Sequence, residues 1–452
     1  MKNNTKIIIL LAGCFFLLLL SAFLTSFFSI ELSTVLWIFL VVAVIFVIAY
    51  TYELLPWPVL IPLTLTVGYI GGIRVREFVY EYTLFEAVIV LVFFGWLLQL
   101  IMAKKKPEIN TLAWLFFSFI IFSIISLAWA RNLSRAVIAI RILIYHFAVL
   151  LLIFNSVQPK KFFKYFLGVL PLAGLLVSWQ LIGKVYDITK FQFVINREAI
   201  VTIVGAGVYV GAIIILTAIL SYALFATTKN FYQRLLISLA LAILVFAAFL
   251  PTSKVVILTL GLGGIYFLWR TRKAYKQTNF FLILISVVIF LVIFAAPFLE
   301  NLVTRAVNWQ SDVTTQFRIK EYRVYSYLIS GHPWLGVGAG NLKVYSQDLL
   351  DLSEIKEADN FIVQILAELG VIGLALLALI IASLVRAFRK LRPYIKKKED
   401  KIIFYAFGAT FLMAFVNGMF EVTFIGLAYG IIFWYIVGLF FAWQRLKLTE
   451  KI

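Results

Sequence analysis

The sequence predicts an all-α, polytopic transmembrane helical bundle of about fourteen spans, with a large outward-facing loop that contains short amphipathic helices. Three observations predict it. Of 452 residues, 63% are apolar and 13% charged, against about 45–50% and about 25% in soluble domains; with a mean hydropathy of +1.04, no water-soluble fold could hide so much apolar surface. Nearly uncharged blocks recur from Ile7 to Ala442, each of the roughly 18 residues or more that cross a hydrocarbon core of about 30 Å. The net charge of +19 would suggest nucleic-acid binding in a soluble chain. Here it comes from Lys and Arg gathered in the short connections between blocks, which is a topology signal, and no nucleic-acid partner is expected.

The block at 6–28 follows Lys2, is longer than a signal-peptide core and lacks a clear small-residue cleavage site, so it is expected to be a retained helix. Further helices are expected near 32–50, 55–73, 83–103, 111–130, 136–157, 162–183, 203–227, 233–250, 252–270, 279–299, 361–385, 402–420 and 424–444. Basic flanks then fall on alternate sides: Lys104 to Lys106; Lys160, Lys161 and Lys164; Lys229 and Arg234; Arg270 to Lys276; the run from Arg386 to Lys401; and Arg445 with Lys447. These sides are expected to be cytoplasmic, and both termini with them. The block at 55–73 is interrupted by Pro56, Pro58 and Pro62, and Arg74 and Arg76 follow it on the outer side. It is retained as a span because its loss would force Lys2 and Lys6 outward.

No repeat or Gly/Ser-rich linker interrupts the chain, so 1–452 reads as a single integral membrane domain, with 300–360 a large extracytoplasmic loop and 386–401 a basic cytoplasmic one. A connection of that length far exceeds the usual 4–6 or so residues and implies a task. Its middle, 315–328, spaces Phe317, Val324 and Leu328 as an amphipathic helix among Arg318, Lys320, Glu321 and Arg323. Such a helix is expected to lie along the membrane surface, with Tyr322, Tyr325 and Tyr327 at headgroup level. A second outer connection, 184–202, carries Arg197 and Glu198.

Three groups of residues bear chemistry. In the string from His332 to Asn341, Gly336, Gly338 and Gly340 alternate; they permit a nest of backbone N–H groups for an anion, or simply let a loop pack against a helix. In the string from Ala358 to Gly373, Asp359 and Asn360 suit a helix cap. Glu368 falls inside an apolar block, where a carboxylate is costly unless paired or protonated, and Gly370 and Gly373 would let a helix approach closely. The third group is Arg197, Lys254, Arg318 and Arg323 on the outer side. These are solvated or headgroup-bound charges, or, gathered around a cavity, a cradle for a diphosphate. Arg141 and His146, one helical turn apart, read as structural. With one cysteine, Cys14, and two histidines, no metal site and no cofactor is expected.

Taken in order, Thr252-Ser253-Lys254 opening a helix, then Arg318, then Pro333 to Asn341, then Asp359-Asn360 leading into Gln364, Glu368, Gly370 and Gly373 resemble the O-antigen ligase/polymerase family of bacterial membrane proteins. The resemblance covers roughly 190–390; the first half is similar only in hydropathy and helix number. It implies a glycosyltransferase of the cytoplasmic (inner) membrane that moves a polyprenyl-diphosphate-linked glycan to a glycan or lipid acceptor at the outer face, inverting the anomeric carbon without a metal. Membrane lipids are its surroundings. By that resemblance Lys254 and Arg318 hold the donor diphosphate; a carboxylate in a partly dry site can serve as acceptor-activating base, a role Asp359 fits, with His332 the alternative. Arg197, Arg323, His332, Gly338, Gly340, Asn360 and Glu368 line the substrate site. Two departures stand out: Ser253-Lys254 replaces a Ser-Arg pattern, and Asp359-Asn360 replaces the His-Asn pair of many ligases. The rival reading is a transporter or lipid-linked oligosaccharide flippase. It would show paired interrupted helices in two halves and midplane charges such as Glu86, Glu368 and Arg141, and no such pairing is apparent.

Overall fold

Helices form where the apolar blocks lie. The structure, a computed structural model, describes residues 32–65, 69–75, 78–157, 161–189, 201–202, 205–251, 253–272, 313–350, 360–421 and 426–449. Its longer elements are α1 (Leu32–Thr51), β1 (Tyr69–Val75), β2 (Phe78–Thr83), α2 (Leu84–Met102), α3 (Thr111–Ile125), α4 (Leu133–Ser156), α5 (Lys161–Thr189), α6 (Gly207–Thr227) and α7 (Phe231–Phe249). There follow α8 (Lys254–Thr271), α9 (Val313–Gly331), α10 (Leu342–Leu350), α11 (Phe361–Leu391), α12 (Lys398–Gly418) and α13 (Leu427–Thr449). Among the described residues ten helices are long and apolar enough to cross a bilayer, namely α2 to α8 and α11 to α13. The chain is therefore a multi-pass helical membrane protein. The expected spans at 6–28 and 279–299 lie outside the described residues. Two compact units are present, Met1–Thr64 with Tyr69–Glu108, and Leu65–Gly68 with Ile109–Ile452.

In the first unit the expected helix over 55–73 does not form. A 3-10 turn (Trp57–Val59) and a single helical turn (Leu60–Leu63) are followed by the antiparallel β1–β2 hairpin. Pro56, Pro58 and Pro62 each lack the N–H that a helix interior needs. The hairpin's open end, Tyr69 opposite Thr83, abuts the start of α2. At the other end of α2, Lys105 Nζ lies 2.6 Å from Glu53 Oε1 and Gln99 Nε2 donates to the same oxygen at 3.1 Å. A Cβ at Gly95 would meet Ile48. Helices α1 and α2 thus run the same way, and the Pro-rich segment returns the chain along the length of α2 without a span-length helix.

In the second unit α13 is the axis, with 94% of its apolar window buried. Glycines allow the closest approaches: a Cβ at Gly438 would meet Ile153 and the Leu150 carbonyl, and one at Gly430 would meet the His146 ring. Phe440 packs on Phe388, Phe407 and Phe411. Polar groups are satisfied across helices, as Tyr435 Oη donates to the Phe166 carbonyl (3.0 Å), Gln444 Nε2 to that of Ala387 (2.8 Å) and Arg445 to that of Phe154 (3.0 Å). His146 is wholly buried, its Nε2 3.3 Å from the Leu427 carbonyl, and the Arg141 guanidinium lies over the Tyr145 ring. Both are built into the bundle.

The block at 361–385 is not one straight span. Gly370, at φ 64° and ψ −166°, breaks α11 into a nine-residue piece and the run from Val371 to Leu391. This backbone region is essentially reserved for glycine. The second piece rises about 31 Å and carries Arg386, Arg389 and Lys390 toward its far end.

Candidate functional site

The break at Gly370 is held open by the glycine string. Gly336, Gly338 and Gly340 all have positive φ, and the chain from Pro333 to Gly338 runs backbone to backbone along Ala367 to Ile372. Val337 N–H donates to the Ala367 carbonyl (2.9 Å), Gly338 N–H to that of Glu368 (2.8 Å), Val371 N–H to that of Pro333 (2.9 Å) and Ile372 N–H to that of Trp334 (3.4 Å). The contact is reciprocal in glycine: a Cβ at Gly336 would strike the Glu368–Leu369 peptide, and one at Gly370 the Trp334–Leu335 peptide. We call this arrangement the clasp.

The clasp also seizes the α3–α4 turn. Ala339 N–H donates to Ser126 Oγ (3.0 Å), Asn132 N–H to Asn341 Oδ1 (2.7 Å), and Asn341 Nδ2 to the carbonyls of Ala339 and Asn132 (3.0 and 3.3 Å). A Cβ at Gly338 would meet Ala130, and one at Gly340 the Arg135 carbonyl. Composition and spacing gave no hint of Ser126, Asn132 or Arg135. The one local signal was an Asn before an apolar run, the helix-cap pattern that Asn132 fulfils for α4.

Glu368 explains itself in this setting. Its Oε2 accepts the Gly340 N–H at 2.8 Å and its Oε1 accepts Gln364 Nε2 at 3.2 Å. The nest read from the three glycines is thus occupied by a carboxyl group of the same chain, and the N–H groups of Gly338 and Gly340 are committed to Glu368. Because the break at Gly370 and the α3–α4 turn bring it to the end of the bundle, Glu368 is not the mid-span charge that the unbroken apolar block implied.

Helix α9 forms over the expected amphipathic segment and extends it to Val313–Gly331. Val324, Tyr325 and Leu328 are buried with Val337, Leu342 and Ala367, so its apolar stripe seats on the clasp. Its other face is exposed and cationic: Lys320 and Arg323 are exposed, as is His332 just beyond, whereas Glu321 is buried. Arg131, also exposed, lies over the Tyr345 ring. Sequence reasoning passed over Arg131, since it sits in the half of the chain without motifs.

The remaining expected site residues fall as follows. Lys254 is the exposed first residue of α8, whose cap is the buried Ser253, with Oγ accepting the Val256 N–H. Asn360 caps α11, its Oδ1 accepting the N–H groups of Ile362 and Val363 at 2.9 and 3.3 Å. Arg318 is carried on α9, with its side chain outside the described residues; Arg197 and Asp359 lie outside them altogether. Asp359 immediately precedes the Asn360 cap. The structure therefore joins Gly338, Gly340 and Glu368 directly, and places Arg323 on the helix seated above them and His332 just beyond its end.

Residues 239–378 match a family model described as O-Antigen ligase. The match is less than a third of the chain, running from within α7 into α11. No curated protein matches the chain.

Proposed function

We propose that this chain transfers a polyprenyl-diphosphate-linked oligo- or polysaccharide to an acceptor glycan or lipid at the outer face of the bacterial cytoplasmic membrane. The observation that carries the reading is that the O-antigen ligase match encloses Lys254, Arg318 and Asp359 together. The exposed charges of α9 have the sign an anionic donor requires.

In this reading the acceptor hydroxyl attacks the anomeric carbon of the donor sugar as Asp359 takes its proton. The bond from that carbon to the diphosphate oxygen breaks on the opposite side, so configuration inverts. The leaving polyprenyl diphosphate needs positive charge rather than a proton, which Lys254, Arg318 and Arg323 supply. The clasp serves as scaffold: it ties α9, which bears Arg318 and Arg323, to the helix that starts just after Asp359. Asn360 caps that helix, and Glu368 with Gly338 and Gly340 holds the clasp closed, so these four act by positioning rather than by touching the donor.

The test is transfer by purified protein supplied with a lipid-linked donor. Arg318→Ala and Lys254→Ala are expected to abolish or strongly reduce product while thermal unfolding stays near that of the parent, because an exposed Lys254 leaves no buried partner unsatisfied. Parental rates in both variants would remove the diphosphate cradle from the reading.

A further inference from the structure

At the end of the second unit where the basic runs collect, α5, α6, α7, α12 and α13 surround a cavity of about 1150 Å³. Its polar lining sits at one level. Lys164 is in the first turn of α5, Lys229 in the α6–α7 turn, Glu399 and Asp400 in the first turn of α12, and Lys447 in the last turn of α13. Its apolar lining runs inward along Leu167, Leu172 and Leu175 of α5 and Ile237 and Ala240 of α7. From Lys164 to Leu175 the helix rises about 16 Å, which is the depth of one leaflet in a hydrocarbon core of about 30 Å.

The charges at the mouth do not cancel. Asp400 and Lys447 neutralise each other at 2.7 Å, both being largely buried. That leaves Lys164 and Lys229, both exposed and in no ion pair among the described residues, against the single carboxyl of Glu399. The wall below them has room to spare: a Cβ added at Gly168 would meet nothing within 4 Å.

We propose that this cavity seats one anionic glycerophospholipid of the leaflet on the basic side, its phosphate between Lys164 and Lys229 and an acyl chain in the slot between α5 and α7. A soluble phosphate would use the lysines but not the slot, and a neutral lipid would use the slot but not the lysines. The site is at the opposite end of the bundle from Lys254 and the clasp, so it is separate from glycan transfer.

Native mass spectrometry of the full chain in detergent, titrated in parallel with phosphatidylglycerol and phosphatidylcholine, tests this. The unaltered chain is expected to retain phosphatidylglycerol about thirtyfold more tightly, the effect of about two surface lysines on an anionic headgroup. Gly168→Leu should reduce retention of both lipids by filling the slot. Lys164→Ala with Lys229→Ala should erase the preference for phosphatidylglycerol while leaving the slot intact. Equal retention of the two lipids by the unaltered chain overturns the proposal. So does undiminished phosphatidylglycerol retention in the lysine double variant, which alters only exposed side chains and keeps the test independent of how Gly168→Leu folds.

Discussion

The clasp at one end of the second unit and the lipid-sized slot at the other both depend on glycine, for opposite physical reasons. At Gly336, Gly338, Gly340 and Gly370 the missing Cβ lets two backbones touch and exchange hydrogen bonds, and every one of these residues has a φ that side chains resist. At Gly168 the backbone is ordinary helix and the missing Cβ leaves empty space. Gly-rich loops are often read as phosphate cradles, yet here the alternating string spends its N–H groups on Glu368, Ser126 and the Glu368 carbonyl. The lesson is that glycine marks a ligand site only where its donors or its volume remain unused.

Four tests break or sharpen that contrast. The largest effect is expected just outside the clasp: Asp359→Asn should lower the transfer rate by about 10² to 10⁴ if Asp359 is the base, with little change in stability. A near-parental rate would remove Asp359 from the role of base. Next, Gly370→Ala forces a side chain onto the Trp334–Leu335 peptide at φ 64° and should destabilise the fold by about 3 kcal/mol or more. The contrasting Gly168→Ala should leave the unfolding temperature unchanged or slightly raised. Matching losses in the two variants would refute the distinction between the two kinds of glycine.

Third, Glu368→Ala strands the Gly340 N–H and should cost about 1–3 kcal/mol, whereas Glu368→Gln keeps an acceptor there and should lose less. If the Gln variant is as stable as the parent but inactive, Glu368 acts on the reaction and not merely on the clasp. The smallest effect is expected at Asn360. Loss of the cap in Asn360→Ala should cost about 1 kcal/mol and Asn360→Asp almost nothing, both read by thermal unfolding, while a loss of activity in the Asp variant at full stability would move Asn360 into the substrate site.

By itself the sequence determined the solvent of this protein and most of its helices. A long apolar block bounded by charged connections has few alternatives to a helix in lipid, and α2 to α8, α12 and α13 lie close to where hydropathy puts them. The amphipathic spacing of Val324 and Leu328 was likewise enough to foresee α9, but Tyr325, expected at headgroup level, is buried beside them. Hydropathy could not see the return between α1 and α2, because Pro56, Pro58 and Pro62 leave that segment's apolarity intact while removing the hydrogen bonds a helix needs. Nor could it see the break in α11. Whether Gly370 is a helix interior or a glycine-only bend depends on Trp334 passing against it, a contact between residues far apart in the chain. The role of Glu368 turned on the same contact. In sequence it is a carboxyl stranded in an apolar block, and only the approach of Gly340 and the α3–α4 turn supplies its donor and brings it to the end of the bundle. Local composition decides which segments enter lipid, but which of their polar groups remain free for a ligand is decided by long-range pairing.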